Sequence, residues 1–216
     1  MENIAGYVQT ISIFAVPILF AIIAHEVMHG VVALRLGDDT ALRAGRLTLN
    51  PISHIDLFGT ILMPAMLLFF HLPVFGYAKP VPVDFSRLRG GRTGMIKVAA
   101  AGPLTNLALA IVSALGIRAM ERFASGGALN SEVVQPLASM MVASVYINVG
   151  LGVFNLFPLL PLDGGRVLVG MLPLPAARAF ARTEPYGFLI LLVLLYTNSV
   201  EAVISPVIQT VTHLLL

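Results

Sequence analysis

Ile11-Ser12-Ile13-Phe14-Ala15-Val16-Pro17-Ile18-Leu19-Phe20-Ala21-Ile22-Ile23-Ala24 runs straight into His25-Glu26-Val27-Met28-His29. The first stretch is too apolar for a helix lying in water, and the second is a metal-ligand pattern. On a helix, histidines at i and i+4 share a face and can hold one zinc ion, with the Glu between them placed to activate a water. From Ile11 to His25 is about 21 Å of helix, so the motif falls inside a hydrocarbon layer about 30 Å thick. Ionisable groups at that depth are expensive unless they serve a function, which argues against chance spacing on a packed helix.

The whole chain agrees with its opening. It has 216 residues, 57% hydrophobic and 11% charged, with a mean hydropathy of +0.90. An ordinary soluble domain carries about 25% charged residues, so this composition indicates an integral membrane protein. The length suits several spans with short connections in one domain covering residues 1–216. The net charge of +2 comes from clusters at segment ends, a topological signal, and no nucleic-acid-binding pattern accompanies it. With no cysteine, a metal site must use nitrogen and oxygen ligands. Met1-Glu2-Asn3 lacks the basic start of a secretory signal, so the first span is expected to be uncleaved.

The pattern predicts a first helix from Ile4 to Leu36, stopped at Gly37-Asp38-Asp39. Arg35, Arg43 and Arg46 follow, placing that end, and the metal near it, toward the cytoplasm. Ala41 to Asn50 alternates polar and apolar residues and reads as a strand. Leu57 to Phe70 is marginal as a span. The basic residues Lys79, Arg87, Arg89, Arg92 and Lys97 favour an in-and-back excursion returning extended through Gly76 to Val83, where Pro80 and Pro82 forbid helix. Spans are expected from Met95 to about Ile117 and from Val133 to about Phe157, joined by a polar connection through Arg122, Ser125, Gly126, Gly127 and Asn130. Tyr186 to Tyr196 and Val203 to Leu216 are apolar and form either one bent span or a hairpin. The expected fold is an all-α polytopic membrane protein with about four to six transmembrane helices and a small membrane-associated β-element.

A catalytic zinc requires a third protein ligand. His54, His71, His213 and the carboxylates are the candidates, and Asp163 is the carboxylate beside a helix break at the depth inferred for the His pair. Capping of the following helix by Asp163 and ligation by it are equally open from the residues alone. His54, His71 and His213 are set aside as ligands. Asn106 and Asn148 are as readily interhelical glue as functional groups, and Arg166, Arg178 and Arg182 read as interfacial anchors.

The motif of His25, Glu26 and His29 in a first span, combined with Asn155-Leu156-Phe157-Pro158-Leu159-Leu160-Pro161-Leu162-Asp163-Gly164, resembles the site-2 protease family of intramembrane zinc metalloproteases. That family pairs HExxH with an N-x-x-P-x-x-x-L-D-G segment, and every fixed position of the second motif is met. Gly102-Pro103-Leu104-Thr105-Asn106 is similar to a segment of the intervening family helix. Gly45 to Pro51 and Gly76 to Pro80 resemble the β-segments of short bacterial members. The resemblance covers His25 to Gly165, and the PDZ or CBS modules of some relatives have no counterpart.

The resemblance implies one zinc ion held by His25, His29 and Asp163, Glu26 as general base, and Asn155 holding the substrate backbone. It implies cleavage of single-span membrane proteins within the bilayer, in a bacterial or archaeal inner membrane. A substrate helix must unwind to expose a carbonyl, and the two expected strands could receive it by strand addition. Rival readings are a metal-binding membrane transporter and a proteolytically silent membrane-protein binder. A transporter predicts carboxylates along a continuous path, whereas the interior ones here are Glu26 and Asp163. The complete set of ligands and base argues against a silent binder.

Overall fold

The computed structural model describes residues 4–71, 76–123 and 134–216. The helices are α1 (Ile4–Arg35), α2 (Thr40–Arg43), α3 (Met63–Phe69), α4 (Arg92–Phe123), α5 (Val134–Asn155), α6 (Asp163–Met171), α7 (Leu174–Ala181), α8 (Glu184–Tyr196) and α9 (Ser199–Leu215). The expected connection through Ser125, Gly126, Gly127 and Asn130 lies outside the described residues.

Three of these elements are long and apolar enough to cross a bilayer, over Ile11–Arg35, Arg92–Arg122 and Val134–Asn155. They run up, down and up. His25 bonds Asn106 while His29 bonds Val98, so α1 and α4 are antiparallel. Asn106 meets Asn148 while Ser113 meets Ser144, so α4 and α5 are antiparallel too. The three pack tightly because small residues line their contacts. Ala21, Ala33, Ala101, Ala110, Ala114 and Ala143 are buried, and a Cβ on Gly152 would stand 3.2 Å from the carbonyl oxygen of Pro103. Without a water-driven force between helices, such close approach supplies the association. Large apolar side chains such as Phe14, Phe20, Ile111, Val112 and Leu115 point outward, where lipid solvates them.

Among the described residues three helices pass alone and up to four if a bent pair is one span, so only the lower end of the four to six expected is reached. α7 and α8 together pass as a fourth only if taken as one span, and they bend by 67° at their break. Leu57–Phe69 and Ser199–Leu215 are apolar but shorter. α8 and α9 are distinct helices, divided at Asn198, which adopts φ 56. Leu191 of α8 and Val200 of α9 share a buried cluster with Leu159 and Leu162. Farther along α9, Ile208, Val211 and Leu215 pack on Ala110, Ala114, Val145 and Val149.

The expected β-element is absent: among the described residues there is no strand. In Ala41 to Asn50, the Asp38 carboxylate accepts from the Thr40 backbone N–H and hydroxyl, starting the helical turn α2. Gly45 at φ 64 turns the chain, and Arg46 to Asn50 continues as irregular backbone. The alternation there does not mark a core face, since Leu42 and Leu49 are 53% and 57% exposed. Gly76 to Val83 belongs to no helix or ladder. Successive N–H groups along an extended chain alternate in direction, so Pro80 and Pro82 strip one edge of donors. On the other edge Lys79 donates to the His54 carbonyl and Val81 to a side chain.

Leu57 to Phe69 begins as a π-helical turn over Leu57–Leu62, with the Asp56 carboxylate accepting from Phe58 N–H and Gly59 N–H. As helix it is about 20 Å long, short of a crossing. The chain returns to where it left, because Tyr77 N–H donates to the Gly59 carbonyl and the Thr60 hydroxyl donates to the Tyr77 carbonyl. The intervening Leu72-Pro73-Val74-Phe75 lies outside the described residues.

Candidate metal centre

α1 presents His25 and His29 one turn apart, and both are buried. Their Nδ1 atoms are engaged in opposite directions along α4. His29 Nδ1 lies 2.7 Å from the carbonyl oxygen of Val98, which can only accept, so that nitrogen carries its proton. His25 Nδ1 lies 2.5 Å from Asn106 Oδ1. The Asn106 amide is oriented by two donations from Nδ2, to Ala21 O at 3.2 Å and Asn148 Oδ1 at 2.9 Å, so its oxygen accepts from His25. Each neutral ring therefore has a bare Nε2.

Both Nε2 atoms converge on one carboxylate oxygen. Asp163 Oδ2 stands 3.0 Å from His25 Nε2 and 3.3 Å from His29 Nε2. It is brought there by the break after α5, which packs closely enough that Gly164 has no room for a Cβ against Leu156 O and Gly187 none against Leu160 O. Leu162, not Asp163, occupies the cap position of α6, and the Asp163 carboxylate faces the histidines.

The group fits a metal by its electron count. Three acceptor atoms within 4.8 Å of one another have no hydrogen to share when the rings are neutral, and Asp163 Oδ2 is buried without a hydrogen-bond partner. A cation satisfies all three at once, and two imidazole nitrogens with a carboxylate oxygen form a known catalytic zinc set. Gly102 on α4 leaves the needed space, since a Cβ there would stand 2.5 Å from both Nε2 atoms.

Glu26 and His25 border a cavity of about 660 Å³ that His54, Tyr77, Asn155 and Pro161 also line. Its wall is mainly apolar, with Ile18, Ile22 and Leu151 among the lining groups. Glu26 Oε2 accepts a 2.9 Å bond from Val81 N–H. Asn155 ends α5 and donates from Nδ2 to Leu151 O, 3.0 Å away. His54 is not part of the metal-ligand group. Its Nε2 lies 2.8 Å from Thr48 O, and its Nδ1 is buried and unpartnered. His71 and His213 are likewise outside the group.

Four of the expected residues thus meet around one space: His25, His29, Asp163 and, at the cavity beside them, Glu26. Asn155 is on the same cavity wall. Asn106 is drawn in as the partner of His25 while also joining α4 to α1 and α5 through Ala21 O and Asn148, so both of its readings have contacts behind them. Two contributors carry no signal of their own in the chain, the Val98 carbonyl and the Val81 N–H, while the bare Cα of Gly102 is marked only as part of the segment similar to the intervening family helix. The run from buried Asn106 and Asn148 to half-buried Ser144 and Ser113 continues the polar contacts between α4 and α5.

Residues 123–197 match the description "Peptidase family M50". That stretch includes Asn155 and Asp163 but not the His pair. The protein named "Putative zinc metalloprotease YwhC" from Bacillus subtilis (strain 168) is 37% identical over 194 residues, covering 86% of this chain and 80% of that protein. The one named "Putative zinc metalloprotease Rip2" from Mycolicibacterium smegmatis is 29% identical over 187 residues, covering 85% of this chain and 66% of that protein. No solved structure matches.

Proposed function

We propose, from the premise that this chain belongs to peptidase family M50 and is a site-2 protease, that it cleaves transmembrane segments of single-span proteins within the bilayer. Its class as a multi-pass membrane metallopeptidase is the starting point. The observation that carries the finer reading is the convergence of His25 Nε2 and His29 Nε2 on Asp163 Oδ2 beside an apolar cavity bordered by Glu26.

His25, His29 and Asp163 would hold one zinc ion, which when bound supplies a Lewis acid that acidifies water and polarises a carbonyl. The Glu26 carboxylate takes the proton of the attacking water and passes it to the leaving amine nitrogen as the peptide bond breaks. Asn106 and Val98 O hold the two rings with Nε2 bare throughout. Asn155 keeps its Nδ2 on Leu151 O and offers its side-chain oxygen to a substrate backbone N–H. A transmembrane helix hides its carbonyls in its own hydrogen bonds, so the substrate enters locally unwound. The apolar cavity wall suits the side chains of such a segment.

The unit acts as a single core domain over residues 1–216 in a bacterial or archaeal inner membrane, with the metal nearer the cytoplasmic face. The test is to purify wild type and Glu26→Gln in detergent, measure zinc and offer single-span substrates. Zinc in both, with chelator-sensitive cleavage in wild type alone, is the expected result. Equal cleavage by both rejects Glu26 as base, and a zinc-free wild type rejects the scheme.

A further inference from the structure

Glu26 and Gly30 lie four residues apart on α1 and therefore share a face. The segment Lys79-Pro80-Val81-Pro82-Val83 passes over that face. The Val81 side chain is buried on Gly30, where a Cβ would stand 2.8 Å from Val81 Cγ1. One turn back, Val81 N–H donates to Glu26 Oε2 at 2.9 Å. Between Lys79 and Val83, Val81 supplies the one backbone N–H, because prolines occupy both neighbouring positions.

The segment is tied down on every side of that bond. Arg46 Nη2 donates to Lys79 O at 2.7 Å and reaches Pro80 O at 3.4 Å. Lys79 N–H donates to His54 O at 2.9 Å, and Asp84 N–H donates to Asp38 Oδ2 at 2.8 Å. These anchors come from the loop after α2, the turn before Leu57 and the end of α1. A carboxylate on a mobile Glu side chain would rotate freely; here one of its oxygens is claimed by a fixed backbone donor.

We infer that the Val81 N–H is a positioning group for the reaction, fixing one oxygen of Glu26 and thereby directing the other at the attacking water. Resting on the protease reading above, this assigns Pro80-Val81-Pro82 a role in catalysis through Glu26 and not as a strand. Orientation of a base to within an ångström can be worth about a hundredfold in rate, so a single donor has leverage here.

The experiment replaces Val81 by its α-hydroxy acid, which exchanges the N–H for an ester oxygen and keeps the side chain on Gly30. The same exchange at Val83 is the control for ester chemistry in the segment. Cleavage of a single-span substrate should show kcat lowered by about tenfold or more, with KM within about twofold and zinc content unchanged. The Val83 ester should stay within about twofold of wild type. Independently of turnover, amide exchange at Val81 should accelerate in Glu26→Ala and remain slow in Glu26→Gln, whose side-chain oxygen still accepts. An ester at Val81 with undiminished kcat, or a Val81 amide indifferent to Glu26→Ala, overturns the inference. A wild type that cleaves nothing removes the protease reading and this inference with it, whereas a cleaving wild type with an indifferent ester removes this inference alone.

Discussion

The two histidines differ in what holds them, and the difference sets distinct expectations. His29 is oriented by a backbone carbonyl, which no substitution at Val98 deletes, while His25 depends on the side chain of Asn106. Groups that orient a metal ligand typically contribute about 10–100-fold in affinity. Asn106→Leu should therefore weaken zinc binding by about that factor, measured by competition with a chelator, while helicity is retained; unchanged affinity would show His25 held by packing alone. Gly102 makes a sharper case. Because a Cβ there would stand 2.5 Å from both Nε2 atoms, Gly102→Ala should exclude zinc without unfolding the helix. Metal analysis of the purified variant checks this, and full occupancy would contradict the geometry. These contrasts explain what could be read from residue types. His25, Glu26 and His29 announce their chemistry by side chain and spacing, whereas Asp163 stays open between cap and ligand until the family resemblance singles it out. Val98 contributes by its main chain and does not stand out from the apolar residues around it; Gly102 contributes by having no side chain, and only the resemblance of its segment to the family helix draws attention to it.

At the scale of elements, the connections between helices were the hardest part to read, for a physical reason. Period-two alternation reports a strand only when one face is buried and the other wet. Here Leu42 and Leu49 are both exposed, so the alternation of Leu42, Leu47 and Leu49 with polar residues marks no buried face. The prolines at 80 and 82 did foretell the absence of helix, but not that the Val81 and Lys79 donors would be spent on Glu26 and His54. The long helices were legible because an apolar run of span length has few alternatives. The contact between Gly59 and the segment from Gly76 depends on Tyr77 lying against Gly59 where a Cβ has no room. Gly59→Ala should cost about 1–3 kcal/mol by overpacking, and adding Tyr77→Ala should recover much of it. Thermal unfolding in detergent measures both, and additive losses would separate the two residues. A second connection carries a charge. Burial would raise the Asp38 carboxyl, but bonds from the Thr40 side chain and from the N–H groups of Asp84 and Thr40, with Arg87 nearby, hold it below its usual range. Its stabilising contribution is thus complete above the unfolded value of about 3.9 and lost as pH falls through the depressed folded value. Asp38→Asn should be less stable at neutral pH, with a flatter acid limb between about pH 5 and 2 in acid-unfolding curves. A parallel limb would assign the acid sensitivity elsewhere.

For the molecule as a whole, the antiparallel order of α1, α4 and α5 ties the depth of the site to the direction of the chain. Along α4, Val98 lies about 9 Å and Asn106 about 21 Å from Arg92, so the ring partners bracket the half of the helix nearer its start. That start lies beside the end of α1, where Arg89 N–H donates to Leu36 O. Arg35, Arg43, Arg46, Arg87, Arg89 and Arg92 all belong to this end. Short basic connections are retained on the cytoplasmic side, so the metal centre should open toward the cytoplasm and the far end of α4 should face outward. Because the chain has no cysteine, a single introduced thiol reports its own location. Arg43→Cys should react with a membrane-impermeant maleimide only when the cytoplasmic face is opened, and Arg122→Cys should react in intact cells. Both positions are exposed. The reverse pattern would place the site toward the outer face, and Glu26 would then draw its water from the other side of the membrane.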